Sequence, residues 1–137
     1  MARTEPVLVD SNVLLDLAER DSQWFGWSAT AIRRFANERL LVINPIIYAE
    51  ISIGFDQPEE VDAAVPSNIY RREPLPYDAA FLAGKAFLDY RRRGGTKTSP
   101  LPDFYIGAHA AARRYRLLTR DAARYRTYFP TVELIAP

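Results

Sequence analysis

Two aspartates follow short apolar runs that are typical of buried strands. Asp10 comes directly after residues 6–9, and Asp121 comes shortly after the apolar residues 117–118. In an open parallel sheet, ligands bind beyond the carboxyl ends of the strands, so both carboxylates are expected at that edge. Each also has a simpler interpretation, because an aspartate at a helix N-terminus caps free N–H groups and suits the helix dipole. Taken singly, each is better explained as a cap.

Glu50 and Asp103 are harder to explain in this way, because both are expected on or beside apolar helix faces. The helix neighbours of Glu50 at three and four residues are three isoleucines and a glycine, and no Lys or Arg lies between Arg39 and Arg71. An unpaired charge beside an apolar stripe is costly. Either the helix edge lets Glu50 reach water, or a positive group lies opposite. Asp103 stands at the start of the apolar face of an alanine-rich helix. A role as the N-terminal cap of that helix is an open alternative.

Four carboxylates gathered at one end of a sheet repel one another unless a cation lies among them. The chain has no cysteine and one histidine, so the available ligands are oxygens, which favour Mg²⁺ or Mn²⁺ over zinc. Carboxylate-held Mg²⁺ keeps positions open for phosphate oxygens and water, as phosphodiester hydrolysis requires. We therefore predict a catalytic metal site, with Mg²⁺ or Mn²⁺ as cofactor, formed by Asp10, Glu50, Asp103 and Asp121.

Three further polar residues lie near these acids in the sequence. Asn12 and Thr119 each stand two residues from a candidate aspartate and can hydrogen-bond a carboxylate or an ordered water. A simple cap or turn role is an equal alternative for each. His109 follows Asp103 by six residues, about 240° round a helix, so we expect it to face elsewhere in a structural or surface role.

The charges of the chain are distributed unevenly. Residues 1–70 hold 5 basic and 11 acidic residues, whereas residues 71–137 hold 13 basic and 6 acidic ones, and only Lys85 and Lys97 are lysines. Arginine forks match phosphate oxygens, so the C-terminal half could form a phosphate-binding face, for example through Arg91, Arg92 and Arg93. A solvated surface with scattered ion pairs explains the same counts equally well.

The elements that must position these residues alternate between short apolar strands and helices. We expect strands at residues 6–9, 40–43, 70–73, 117–119 and 132–135, and helices at 12–18, 23–38, 45–54, 58–64, 76–92, 103–115 and 121–128. This order predicts an α/β fold in which helices cover both faces of a central parallel sheet of four to five strands. The helix at 76–92 is expected to face inward with Ala80, Leu82, Ala83, Ala86 and Phe87.

Composition narrows the class of protein further. A length of 137 residues and a hydrophobic fraction of 48% suit one domain, over residues 1–137, with a real core. The absence of cysteine fits a reducing cytoplasm. The N-terminal run is too short and too acidic for a signal peptide, and no apolar run approaches the ~20 residues that a membrane span needs. A cytoplasmic protein is therefore expected.

Four segments, taken in order, resemble a known family. The segments VDSNVL (9–14), NPIIYAE (44–50), PDFYIGAHA (102–110) and LLTRD (117–121) resemble PIN domains and, more narrowly, the VapC toxins of bacterial toxin–antitoxin pairs. The resemblance spans nearly the whole chain. It implies a PIN fold and Mg²⁺- or Mn²⁺-dependent RNA cleavage by the four acids. Segments 55–76 and 94–102 match nothing diagnostic.

The resemblance also assigns roles within the site. It implies that Asp10 and Asp103 are direct metal ligands, and that Glu50 and Asp121 complete the site directly or through water. Asn12 and Thr119 match polar positions of the family that support the acidic residues. The family further implies a homodimer and a cognate VapB-type antitoxin that blocks the site.

Other functions that place an aspartate after the first strand fit less well. A haloacid-dehalogenase-type phosphatase needs a second aspartate two residues later, where this chain has Asn12. A phospho-acceptor receiver domain needs paired acids at strand one and a late lysine, and neither is present. The alternative from another class is a non-catalytic binding module, in which the acids cap helices or the surface recognises a basic peptide or RNA.

Overall fold

The computed structural model describes residues 5–137, which form an α/β fold. The strands are β1 (Val7–Val9), β2 (Leu41–Ile43), β3 (Arg71–Arg72), β4 (Arg116–Leu118) and β5 (Leu134–Ile135). The helices are α1 (Ser11–Ala18), α2 (Phe25–Asn37), α3 (Pro45–Ser52), α4 (Pro58–Ala64), α5 (Tyr77–Arg92), α6 (Pro102–Arg113) and α7 (Ala123–Tyr128). No helix in this part of the chain is long and apolar enough to cross a bilayer.

The five strands form one parallel sheet in the order β3-β2-β1-β4-β5. Every residue of β1, β2 and β4 is buried. Because successive side chains of a strand point to opposite faces, helices must cover the sheet on both sides. The predicted fold class is confirmed, with five strands and β1 at the centre.

Polar caps at the carboxyl ends of β1 and β2 start the next helices. Asp10 is the N-cap of α1 and accepts a hydrogen bond from the backbone N–H of Ser11 at 2.8 Å. Asn44 is the N-cap of α3 and accepts one from Ile47 N at 2.9 Å, with Pro45 at the first helical position as expected. These caps fix where α1 and α3 leave the sheet edge.

One part of the expected core is wrong. Leu82 on α5 is 38% exposed, whereas the buried residues of that helix are Ala79, Ala83 and Ala86. Alanines allow α5 to pack closely against α6, and Leu82 lies at the flank of this narrow stripe, where the short distance leaves no room for a larger side chain. Ala80 and Phe87 are half-buried.

His109 has the structural role that its spacing predicted. Its side chain is fully buried, and Nδ1 lies 2.9 Å from the side-chain nitrogen of Asn44. Nε2 lies 3.6 Å from Glu73 Oε1. Burial lowers the pKa of His109, which favours the neutral ring. The histidine therefore joins α6 to the start of α3.

Candidate active site

Asp10 lies at the carboxyl end of β1 and is only 3% exposed. Its Oδ1 accepts the Ser11 N–H, so the cap interpretation is correct for this residue. Its Oδ2 accepts hydrogen bonds from Thr119 Oγ1 at 2.9 Å and Tyr125 Oη at 2.8 Å, with Asn12 Nδ2 at 3.4 Å. A cap facing solvent does not need this second set of donors.

The surroundings of Asp10 make its charged form costly. Burial raises the pKa of Asp10 to about 6, and the hydrogen bond from Tyr125 lowers it. The negative charge of Asp103 raises the pKa, the Thr119 hydroxyl lowers it, and Glu50 raises it again. Three carboxylates from three separate elements therefore influence one another at this edge.

Glu50 reaches the same place from α3. Ser11 Oγ donates a hydrogen bond to its Oε1 at 2.8 Å, and the side chain is half-buried. Burial raises the pKa of Glu50, the Ser11 hydrogen bond lowers it, and Asp103 raises it. Glu50 forms no ion pair within residues 5–137, so this carboxylate meets solvent and a hydroxyl instead of a protein cation.

Asp103 occupies the second position of α6 and its side chain is 36% exposed. It caps no helix, because the N-cap of α6 is Leu101. Arg124 Nη1 lies 3.5 Å from its Oδ2, and Tyr125 Oη lies 3.4 Å from its Oδ1. Burial raises the pKa of Asp103, Arg124 and Tyr125 lower it, and Asp121 raises it.

Asp121 lies in the exposed loop between β4 and α7. It does not cap α7, whose N-cap is Ala122 without a side-chain hydrogen bond, so the simpler interpretation is wrong here. Its charge raises the pKa of Asp103. The structure therefore brings all four predicted acids to one edge, with Asp10 buried at the centre and Asp121 outermost.

Thr119 and Asn12 form a small polar network between β4 and α1. Thr119 is fully buried, and its Oγ1 donates to Asp10 and accepts from Asp121 N at 3.1 Å and Asn12 Nδ2 at 3.3 Å. Asn12 Oδ1 accepts a bond from Arg120 N at 3.4 Å. Both side chains thus make the contacts that a supporting role requires.

Two residues of the site were not found from the sequence. Tyr125 is 1% exposed and contacts both Asp10 and Asp103. Burial, followed by the charges of Asp10 and Asp103, raises the pKa of Tyr125, so its hydroxyl stays protonated as a donor. Arg124, its neighbour, faces Asp103. The available signal was the position of Tyr125 four residues after Asp121, which is about one turn in the helix predicted at 121–128.

An ion pair between a half-buried arginine and a buried aspartate braces the loop that carries Asp121. Arg120 Nε lies 3.0 and 2.9 Å from the two oxygens of Asp16, which is 2% exposed. Ser28 Oγ donates to Asp16 at 2.8 Å, and the Arg120 guanidinium lies over the Trp24 ring. The loop is thereby joined to α1 and α2.

The donor set fits a hard divalent cation in its chemistry. Among residues 5–137, no three acidic or histidine side chains lie close enough to chelate an ion as they stand. The carboxylates nevertheless raise one another's pKa, and Asp10 Oδ1 accepts a single hydrogen bond, which leaves it a free lone pair.

A family model for the PIN domain matches residues 7–130 of the sequence. The chain belongs to the PIN domain family. This finding confirms the resemblance drawn from the four segments and covers every one of the four acids. No curated protein matches the chain in a sequence comparison.

The fold of this PIN domain is shared with chains of solved toxin–antitoxin complexes. It is similar to a chain of VapBC2 from Rickettsia felis bound to a promoter DNA fragment, with 15% identity, a TM-score of 0.73, and coverage of 96% of this chain and 98% of the other. DNA-bound VapBC from Salmonella typhimurium gives 20% identity, a TM-score of 0.70, and 96% and 98% coverage. FitAcB from Neisseria gonorrhoeae gives 17% identity, a TM-score of 0.68, and 94% and 96% coverage.

Proposed function

We propose that this PIN domain is a Mg²⁺- or Mn²⁺-dependent endoribonuclease and the toxin of a type II toxin–antitoxin pair. The observation that carries the proposal is the environment of Asp10. A buried carboxylate whose pKa is raised to about 6 by burial and by two neighbouring acids is costly for stability. A divalent cation held by these acids would offset that cost and would explain why the acids lie together at one edge.

In the proposed reaction, water attacks the scissile phosphorus and the bond to the 3′ oxygen breaks. When bound, a divalent cation polarises a phosphate oxygen and lowers the pKa of water. Asp10 and Asp103 would hold it directly, with Glu50 and Asp121 completing the site. Glu50 Oε1 accepts the Ser11 hydrogen bond, which leaves Oε2 free to take the proton of the attacking water. The products carry a 5′ phosphate and a 3′ hydroxyl.

The proposed partner is a VapB-type antitoxin that blocks the site. Its support is the full-length likeness to chains of the VapBC and FitAcB structures. A basic antitoxin side chain placed among the four acids would offset their repulsion much as a cation does. The absence of cysteine supports action in the cytoplasm.

The proposed homodimer is supported by an exposed apolar stripe on α5. Tyr77 is 95% exposed and Phe81 is 65% exposed, and Leu88 continues the same helix face. Gly84 lies between them, and a Cβ placed there meets nothing within 4 Å. Two copies of this stripe related by a two-fold axis would bury it against itself.

The function is tested by mapping cleavage ends in total RNA after brief expression of the chain. We expect new ends with 5′ phosphates, and none with Asp10→Asn or Asp103→Asn. Asp56→Asn removes an exposed acid that is not one of the four site acids and serves as the matched control. Purified protein that retains full cleavage in EDTA would refute the metal-dependent mechanism.

The competing function is a non-catalytic module that binds a basic peptide or RNA. A true metal site predicts that Mn²⁺ raises the melting temperature according to RT ln(1 + [L]/Kd). The shift should shrink when Glu50 is changed to Gln. Unchanged melting of the wild-type chain in Mn²⁺, together with RNA binding and no cleavage, would favour the binding module.

A further inference from the structure

A buried polar contact joins the two helices that carry Glu50 and Asp103. His109 is fully buried on α6, Asn44 is 2% exposed at the N-cap of α3, and their side-chain nitrogens lie 2.9 Å apart. Glu50 lies on the same helix as the cap, and Asp103 lies on the same helix as the histidine. The other two site acids follow strands, so the sheet itself places them. The separation of Glu50 from Asp103 depends instead on how α3 packs against α6.

The helix cap determines which atom donates in this contact. Asn44 Oδ1 lies 2.9 Å from the backbone N–H of Ile47 and accepts its hydrogen bond. The amide nitrogen Nδ2 is therefore the atom that faces His109, and it can only donate. His109 Nδ1 must accept, so it carries no proton. Burial lowers the pKa of His109 and favours the neutral ring, whose single proton is then on Nε2.

The opposite side of the His109 ring fits this tautomer. Nε2 lies 3.6 Å from Glu73 Oε1, which is too long for a good hydrogen bond but close enough for the carboxylate charge to favour a proton on Nε2. Glu73 follows β3 and is itself held by Tyr115 Oη at 2.9 Å and by Arg71 Nη2 at 3.1 Å. The ring therefore presents Nδ1 as an acceptor to Asn44.

The hydrogen bonds of the two acids themselves do not connect α3 with α6. Ser11, which donates to Glu50 at 2.8 Å, belongs to α1. Tyr125, whose hydroxyl lies 3.4 Å from Asp103, belongs to α7. Each acid is thus held toward a different neighbour, whereas the contact between His109 and Asn44 spans the two helices directly.

We infer that His109 is a positioning residue of the acidic site, which acts through Asn44 to set the separation of Glu50 from Asp103. Mg²⁺ demands nearly ideal octahedral geometry, so carboxylates on two helices bind it well only when those helices are held at a fixed separation. Loss of the contact should therefore weaken cation binding, although neither side chain needs to touch the ion. The inference rests on the proposed function, because it concerns the cation of that same site.

The first test is the affinity of the full chain for Mn²⁺ alone, measured by calorimetric titration near neutral pH. His109→Asn places an amide oxygen close to the present position of Nδ1, where it can accept from Asn44. His109→Gln is one bond longer and carries its amide toward the position of Nε2, so Asn44 loses its acceptor. Both variants replace the same buried ring. His109→Gln should bind Mn²⁺ about fivefold more weakly than wild type, at the low end of couplings between separate sites, and His109→Asn should bind nearly as well as wild type.

Asn44→Ser separates the cap from the contact between the helices. Serine is a good N-cap and can still accept from Ile47 N–H, but its side chain is too short to reach His109. Asn44→Ser should weaken Mn²⁺ binding as much as His109→Gln does. The double variant should be no weaker than either single variant, because both remove the same contact.

Two calorimetric outcomes would overturn the inference while Mn²⁺ binding by the wild-type chain is intact. One is wild-type affinity in either Asn44→Ser or His109→Gln. The other is an equal loss in His109→Asn and His109→Gln, which would mean that only packing of the ring matters. If the wild-type chain itself binds no Mn²⁺, the proposed function fails instead.

A spectroscopic test needs only the wild-type chain. His109 is the only histidine in the sequence, so labelling histidine with ¹⁵N gives the signals of this one ring. We expect an unprotonated Nδ1 and a protonated Nε2 near neutral pH. Saturating Mg²⁺ should shift the Nδ1 signal, because coupling between the ion and the contact is reciprocal. A proton on Nδ1, or an Nδ1 signal that does not respond to bound Mg²⁺, would overturn the inference.

Discussion

The Tyr125 hydroxyl lies 2.8 Å from Asp10 Oδ2 and 3.4 Å from Asp103 Oδ1. A hydroxyl has one proton to donate, so the shorter contact is the hydrogen bond and Asp103 is left with the weaker one. One phenol from α7 thus holds the buried carboxylate at the end of β1 and stands beside the carboxylate of α6. The free lone pair of Asp10 is on the other oxygen, Oδ1.

Removing that hydroxyl tests whether it prepares Asp10 to bind a cation. The Tyr125 hydrogen bond lowers the pKa of Asp10, so Tyr125→Phe should raise this pKa further. Calorimetric titration with Mn²⁺ near pH 6 should show about tenfold weaker binding, and the difference should diminish as the pH rises. Tyr105→Phe, the same change at a tyrosine of α6, should bind like wild type. Tighter Mn²⁺ binding by Tyr125→Phe would mean that the hydroxyl competes with the cation.

The raised pKa of Asp10 predicts how stability varies with pH. The unfolded chain ionises Asp10 near 3.8 and the folded chain near 6. The folded state holds this proton more tightly, so the stabilisation is complete below pH 3.8 and is lost as the pH rises through 6. The loss at neutral pH is on the order of 3 kcal/mol.

Asp10→Asn cannot lose a proton and should escape this effect. In EDTA, the free energy of unfolding of the wild-type chain should fall relative to Asp10→Asn between about pH 4 and pH 7, as measured by urea titration. At neutral pH, Mn²⁺ should make the wild-type chain the more stable of the two, because only the wild-type chain has the Asp10 carboxylate to bind the ion. Parallel pH curves for the two chains would contradict the burial of a charged Asp10.

The Asp16–Arg120 pair should show strong coupling. Arg120→Met leaves a charge on Asp16, which is 2% exposed, and should lower the free energy of unfolding by about 3 kcal/mol. The double variant with Asp16→Asn should recover part of the loss, and Arg33→Met, at an exposed position, should cost little. Strictly additive effects in urea unfolding would show that the pair does not brace the loop.

The α5 stripe predicts which changes separate two copies of the chain. Phe81→Glu and Gly84→Gln should each shift the protein from dimer to monomer in light scattering. Gly84→Gln is the sharper variant, because the monomer has open space at that position and its fold should be unaffected. Ile69→Glu, at another exposed apolar residue, is the control. A dimer that tolerates both α5 changes must use a different surface.

Much of the fold followed from the sequence because local patterns decided it. The apolar runs ending at Asp10 and before Asp121 gave the central strands, and Asn44 followed by Pro45 marked the start of α3. The placement of the four acids followed in turn, since parallel strands end at one edge. Glu50 was recognised because its helix neighbours are apolar.

The remaining features depend on partners that no local pattern specifies. Arg120 meets Asp16 across 104 positions of sequence, and Tyr125 meets Asp10 across 115. Periodicity shows which face of a helix turns inward but not which side chain lies opposite. Leu82 was expected to face inward and is exposed. Periodicity does not predict how wide the buried stripe of α5 is, because that width depends on how closely α6 approaches.

The sheet order also determines when the site can exist during synthesis. β1 is made before β4 and α7, yet Asp10 receives its hydrogen bonds from Thr119 and Tyr125, which follow it by 109 and 115 residues. A ribosome that stalls or releases the chain before α7 therefore leaves a fragment without an assembled acidic centre. The two halves of the centre are therefore supplied by opposite ends of the domain, and neither half holds Asp10 in place without the other.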